Sequence, residues 1–165
     1  MVRSIAIGGF MGAGKTTTGR ALAARLECAF VDLDERVVVE SGRVIQDIFE
    51  TDGEAVFRSL ESKALQSALS DDAQVVVALG GGTLHTARNI SLLNAASDVI
   101  ILTLPWLEHK RRLGVADESR PLWGDAEELY KLRQPGYRSA GVCIDVQGLS
   151  TEQIVDKVLE VVACE

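Results

Sequence analysis

Short runs of apolar and β-branched residues alternate along the chain with longer stretches in which apolar positions recur every three or four residues. The runs at 3–8 (RSIAIG), 29–33 (AFVDL), 74–79 (QVVVAL), 98–104 (DVIILTL) and 142–146 (VCIDV) have the length and composition of strands. They are close to continuously apolar, as expected of strands covered on both faces. Between them, Leu22 and Leu26 follow Ala21 at helical spacing, and Phe57, Leu60, Ala64 and Ala68 form a stripe flanked by Leu65 and Leu69. Ile154, Val158 and Val162 repeat behind Ser150 and Gln153, which are spaced as a helix capping box. This alternation predicts one three-layer α/β domain over residues 1–165, built on a five-stranded parallel sheet. Residues 114–124 (GVADESRPLWG) break the rhythm. On composition they read as a solvated loop, and in a compact domain so long a loop is often a functional lid.

Composition narrows the class. A chain of 165 residues can bury a core without staples, and 47% hydrophobic with 25% charged residues is ordinary for a globular protein. The net charge of −7 disfavours nucleic acid or an acidic membrane surface as partner, so arginines near a site are expected to serve a small anion. Cys28, Cys143 and Cys164 are odd in number and widely spaced, against a disulfide framework or zinc site and in favour of reduced thiols in the cytoplasm. No apolar run approaches the ~18 residues of a membrane span. The short apolar run after Arg3 is interrupted by Lys15 with no cleavage site, so no secretory leader is expected. The sequon Asn89-Ile90-Ser91 carries no weight in a cytoplasmic protein.

The chemistry begins at Gly9-Phe10-Met11-Gly12-Ala13-Gly14-Lys15-Thr16, which fits G-x-x-x-x-G-K-[ST] between a strand and a helix. Such a loop turns successive backbone N–H groups onto a phosphate at the positive end of a helix. Gly12, Ala13, Gly14, Lys15, Thr16 and Thr17 are the expected nucleotide contacts, with Lys15 reaching the β- and γ-phosphates and the Thr16 hydroxyl going to Mg²⁺. The apolar strand ending in Gly80-Gly81-Gly82 carries no acid for that metal, whereas VDLDE carries two. Asp32 and Asp34 lie two apart, so in an extended segment both face one side. One could back the metal and the other orient an acceptor hydroxyl or take its proton. The plainer alternative makes Asp34 the N-cap of a helix starting at Glu35. Three consecutive glycines fit bare backbone against a ligand at the carboxyl edge of the sheet, or a tight turn. Arg58 lies four after Glu54 and three before Glu61, a spacing that also makes a surface salt-bridge ladder. With Arg120 and Arg133 it could instead form guanidinium forks for an anionic acceptor and the transferring phosphoryl group.

Taken together these residues resemble the shikimate kinase family, small P-loop kinases related to the nucleoside-monophosphate kinases. The resemblance runs through G-x-x-G-x-G-K (Gly9 to Lys15), DLD (32–34), GE-x-x-FR-x-x-E (Gly53 to Glu61), GGG (80–82), RPL (Arg120 to Leu122) and R-x-P-x-Y (Arg133 to Tyr137). It implies MgATP-dependent phosphorylation of the 3-hydroxyl of shikimate on the route to chorismate and the aromatic amino acids. It implies a P-loop kinase fold with sheet order 2-3-1-4-5, a mobile lid at about 112–124, and a monomer whose partner is a small molecule rather than nucleic acid or membrane. Thr16 and Asp32 would sit at the metal, Lys15 on the phosphates, and Asp34 on the acceptor hydroxyl. Arg58 and Arg133 would hold the shikimate carboxylate and Gly80, Gly81 and Gly82 would lie against the ring. Arg120 would swing in with the lid and Arg112 would lie near adenine.

Two departures from the family pattern stand out. The stretch between RPL and R-x-P-x-Y is short, predicting a clipped helix after the lid and making Arg138 an alternate to Arg133. The late loop DVQGLS lacks an arginine that many members place near adenine. Gluconate and nucleoside-monophosphate kinases lack the combined DLD, GGG and FR-x-x-E set. A non-catalytic binding protein is disfavoured by the intact Lys15, Thr16, Asp32, Asp34, Arg58 and Arg120.

Overall fold

The computed structural model describes residues 3–70, 73–113 and 125–163. The five expected strands form with ends shifted by a residue or two: β1 (Ser4–Gly9), β2 (Ala29–Asp32), β3 (Val75–Ala78), β4 (Ser97–Thr103) and β5 (Val142–Asp145). All neighbours are parallel, in the order β2-β3-β1-β4-β5. Helices α1 (Lys15–Arg25), α2 (Leu33–Ser41), α3 (Ile45–Asp52) and α4 (Glu54–Ala68) come before or between the first three strands. A 3₁₀ turn (Thr83–His85), α5 (Ala87–Ala96), α6 (Trp106–Leu113), α7 (Ala126–Ala140) and α8 (Thr151–Ala163) follow. None of the described helices is long and apolar enough to cross a membrane.

Side chains alternate across the sheet and divide the core in two. Ile5 and Ile7 of β1 point with Val76, Ile100 and Leu102 toward Leu22 of α1 and Ile154, Val155 and Val158 of α8. Ala6 points the other way with Val75, Val77, Val99 and Ile101, against Val37, Ile48, Phe57, Leu65, Leu93 and Tyr137 from α2, α3, α4, α5 and α7. The strands are therefore apolar on both faces, which is why their sequence runs are continuous. With β1 central and its successors split to either side, the topological switch lies at its carboxyl end, where open α/β sheets bind ligands. The loops leaving β1, β2 and β3 all open at that edge.

The helix after residues 114–124, α7, is 15 residues long and runs through Pro135. Arg133 lies at its midpoint and is buried. The capping box of α8 forms as the sequence predicts. Gln153 N–H donates to Ser150 Oγ at 3.3 Å, and Ser150 N–H donates to Gln153 Oε1 at 2.9 Å. Because Ser150 is exposed, Ser150→Ala tests the cap with little change to packing. It should lower stability by about 1 kcal/mol, read as a reduced urea midpoint at unchanged slope; an unshifted midpoint would deny the cap any energetic role.

Candidate active site

At the end of β1 the chain turns so tightly that only glycine fits. A Cβ on Gly9 would lie 2.5 Å from the Leu102 carbonyl oxygen, and Gly9 has φ +138°. Gly14, at φ +94°, is the N-cap of α1, and no side chain caps that helix. Its positive end therefore faces the cleft open to an anion. Lys15 Nζ donates to the Phe10 carbonyl at 3.1 Å, across the mouth of the loop. Ala13 differs from its neighbours. Its N–H donates to Phe10 O at 3.1 Å and its side chain is fully buried, so it closes the turn instead of facing the cleft.

The paired aspartates arrive by a different local structure from the extended one expected. β2 ends at Asp32, and α2 starts at Leu33. The N-cap is Asp32, whose Oδ1 accepts from the N–H groups of Asp34 at 3.1 Å and Glu35 at 3.4 Å. Asp34 is thus neither extended nor a cap but lies in the first helical turn. Asp32 uses its other oxygen, Oδ2, to accept from the Thr16 hydroxyl at 2.7 Å. This brings the two expected metal contacts together. Both aspartates line the same cleft.

The glycine triplet makes room for side chains of the site itself. A Cβ on Gly80 would stand 2.8 Å from Asp34 Oδ1 and 2.9 Å from Glu61 Oε1; on Gly81, 2.7 Å from Arg133 Nη1; on Gly82, 2.7 Å from Arg58 Nη1. The bare strand end is packed under the carboxylate and both guanidinium groups. The salt-bridge ladder also exists, with its Glu54 end at the surface and its Glu61 end buried. Arg58 Nη1 meets Glu61 Oε2 at 3.0 Å and Arg58 Nη2 meets Glu54 Oε1 at 3.1 Å, with Glu61 0% exposed. Glu61 Oε1 also accepts from the Thr83 hydroxyl at 2.6 Å. Asn89, the residue of the sequon, is fully buried. Its amide donates to Thr83 O at 3.1 Å and its Oδ1 accepts from Ser62 Oγ at 2.6 Å.

Arg133, 6% exposed, reaches the same cleft from α7 with its guanidinium 5.9 Å above the Phe10 ring centroid. No carboxylate among the described residues pairs with it. Burial above all, together with the Arg58 charge, pushes its pKa down, which marks a cation short of a counter-ion. Tyr137, one helical turn on, donates its hydroxyl to Gly81 O at 2.6 Å. Arg138 lines a separate groove with Thr103, Tyr130 and Cys143, away from the cleft. Arg112 donates from Nη1 to Gly12 O at 3.3 Å, at the edge of the phosphate loop. Arg120 and the expected lid beyond Leu113 lie outside the described residues.

The cleft has a volume of about 460 Å³. The loop residues Gly12, Gly14, Lys15, Thr16 and Thr17 form one end, and Asp34, Arg58 and Arg133 the other, with Ile45, Phe49 and Phe57 as an apolar wall. Thr16 and Asp32 offer one hydroxyl and one carboxylate, and no cluster of three or more His, Cys, Asp or Glu among the described residues could hold a metal alone. That donor set suits Mg²⁺, which takes one or two carboxylates plus phosphate and water. In the sequence Glu61 stands out only as one end of the Arg58 ladder, Tyr137 only as part of R-x-P-x-Y and Asn89 only as the head of a sequon, while Thr83 gives no signal. The burial of the inward face of α4 was the available signal for Glu61, which lies four after Phe57.

Comparison with known proteins agrees with the geometry. A family model described as shikimate kinase matches residues 11–163. A shikimate kinase of Persephonella marina (strain DSM 14350 / EX-H1) is 36% identical over 162 residues, covering 96% of this chain and 98% of that protein. One of Geobacter sulfurreducens is 40% identical over 162 residues, covering 94% and 88%. The structure of the shikimate kinase from Acinetobacter baumannii in complex with shikimate superposes with TM-score 0.90 at 32% identity, over 99% of this chain and 94% of that one. A gluconokinase from Sinorhizobium meliloti 1021 has TM-score 0.68 at 21% identity, over 98% and 91%, a likeness of fold alone.

Asp34 is the group whose titration the cleft most perturbs toward neutrality. Burial first, then the charges of Glu61 and Asp32, raise its pKa from 3.8 to about 6 against the opposing pull of Lys15 and Arg58. A raised carboxyl pKa means the proton is held until the pH climbs through that value. In the ligand-free protein the Asp34 carboxyl ¹³C resonance should titrate near 6, and Glu61→Gln should move the midpoint down. A wild-type midpoint near 3.8 would show that the carboxylates do not act on one another as described.

Proposed function

The chain belongs to the shikimate kinase family, and we propose that it moves the γ-phosphoryl group of ATP to the 3-hydroxyl of shikimate, giving shikimate 3-phosphate and ADP. The observation that carries this reading is the pairing of a phosphate loop with an acidic and two basic side chains over one glycine triplet. Arg133 and Arg58 suit the shikimate carboxylate, since Arg133 is buried without an acidic partner among the described residues. The wall of Ile45, Phe49 and Phe57 suits the ring. Asp34 lines the same cleft as these arginines and as Thr16 and Lys15.

Above pH about 6 Asp34 is ionised and accepts a hydrogen bond from the 3-hydroxyl. As the new bond from that oxygen to γ-phosphorus forms, the bond from phosphorus to the β,γ-bridging oxygen breaks, and the hydroxyl proton passes to Asp34. Lys15 and the open end of α1 face the negative charge on the phosphoryl oxygens. Thr16 and Asp32 would hold Mg²⁺, which supplies further charge neutralisation when bound with the nucleotide. Arg120, by the family pattern, closes over the transferring group and Arg112 flanks the base. The free thiols of Cys28 and Cys143 favour the cytoplasm.

ADP release should depend on shikimate, with gluconate and nucleoside monophosphates failing to replace it; release indifferent to shikimate would refute the assignment. Arg133→Ala should raise the KM for shikimate by roughly thirty- to a hundredfold while that for ATP stays within about threefold, and Arg138→Ala should leave both near wild type. The opposite ranking would transfer the carboxylate role to Arg138. Lys15→Met should lower kcat by about a hundredfold or more in the same coupled assay.

A further inference from the structure

His109 is a buried imidazole that the reaction does not use. It sits on α6, 1% exposed, with its ring edge-on to Phe10 at 5.3 Å and tilted against Tyr130 at 5.3 Å. Its Nδ1 lies 2.9 Å from the carbonyl oxygen of Met11. A carbonyl only accepts, so Nδ1 must carry the proton. Burial, first, and the charges of Lys15 and Arg112 hold the ring pKa down at about 4, so the imidazole is neutral and its tautomer is fixed by this single bond. The Met11–Gly12 peptide is trans, since the described chain has no cis bond. Its N–H therefore points opposite to its C=O. With the carbonyl turned toward α6, the Gly12 N–H is turned away from α6, and no acceptor for it is found among the described residues. The next peptide is held at both ends, by Arg112 Nη1 on Gly12 O at 3.3 Å and by Ala13 N–H on Phe10 O at 3.1 Å.

We propose that His109 is a positioning residue for the phosphate loop, its Nδ1–H orienting the Met11–Gly12 peptide so that the Gly12 N–H is presented to a nucleotide phosphate. This rests on the reading of residues 9–16 as the nucleotide loop. His109 touches no reacting atom; it acts through a peptide plane. The same contact ties the loop to α6, the helix that leads into residues 114–124.

The test compares His109→Leu, which keeps an apolar filling but removes the donor, with His109→Asn, whose side-chain N–H can replace Nδ1–H. His109→Leu should raise the KM for ATP by about tenfold with the KM for shikimate within about twofold, and His109→Asn should recover most of the loss. Equal impairment of both variants, or equal rises in both KM values, would make His109 a packing residue and overturn the proposal. An unchanged KM for ATP in His109→Leu would overturn it too. Nitrogen-15 NMR of the ligand-free wild type gives a check that needs no variant to fold: Nδ1 should be protonated and Nε2 bare, and the reverse tautomer would refute the bond. A wild-type protein inactive on shikimate but with Nδ1 protonated would sink the family reaction while leaving the loop contact standing.

Discussion

A carboxylate with no exposure to water sets the arrangement of the cleft. Glu61 on α4 is isolated from solvent and must be compensated within the protein, because an uncompensated buried charge is strongly destabilising. Arg58 supplies a counter-charge at 3.0 Å on one oxygen and Thr83 a hydroxyl at 2.6 Å on the other. The first bond is internal to α4, and the second fixes α4 to the turn after β3. Burial opposes the positive charge on Arg58, but Glu61 by charge and hydrogen bond, with Glu54, outweighs it and raises its pKa. The same negative charge, acting through the cleft, helps hold Asp34 near neutrality. A pair at this spacing on an exposed helix would contribute a few tenths of a kcal/mol. Buried, it determines where a guanidinium stands and how readily a neighbouring acid takes a proton.

The glycine triplet follows from that crowding. Each missing Cβ corresponds to a particular neighbour: Asp34 and Glu61 over Gly80, Arg133 over Gly81, Arg58 over Gly82. The backbone is then pinned from beneath, with Tyr137 donating to Gly81 O and Asn89 to Thr83 O. Substituting any of the three would move a functional group first and the fold second, since the atoms in the way are ends of side chains. A turn requirement alone gives no reason for three glycines in succession. The packing of charged groups over a strand end does.

What was legible in the sequence divides by range. The strands, their parallel order by family likeness, the phosphate loop and the Ser150–Gln153 box rest on local patterns, and all appear as read. Asp32 and Asp34 stand out as a pair, but neither the extended backbone nor the Asp34 cap is what forms, because where β2 stops depends on pairing with β3, which ends at Ala78 opposite Asp32. The Glu54–Arg58–Glu61 spacing was visible, yet spacing does not say which end of a ladder faces the core. Tyr137 acts through a backbone carbonyl 56 residues away, and no local pattern announces such a partner.

Phe10 joins the two ends of the cleft. Its carbonyl accepts from Lys15 and from Ala13, so it shapes the phosphate loop. Its ring lies beneath the Arg133 guanidinium at 5.9 Å and meets Trp106, His109 and Tyr130 edge-on at 6.3, 5.3 and 5.4 Å. An aromatic face attracts a guanidinium, and the attraction grows where water is excluded. It gives the buried Arg133 a neighbour that does not neutralise it. An acidic residue in that position would have stabilised the arginine better and closed it to a ligand. The choice of a ring over a carboxylate holds Arg133 in place without neutralising it, and it attaches that guanidinium to the same residue that closes the turn after β1.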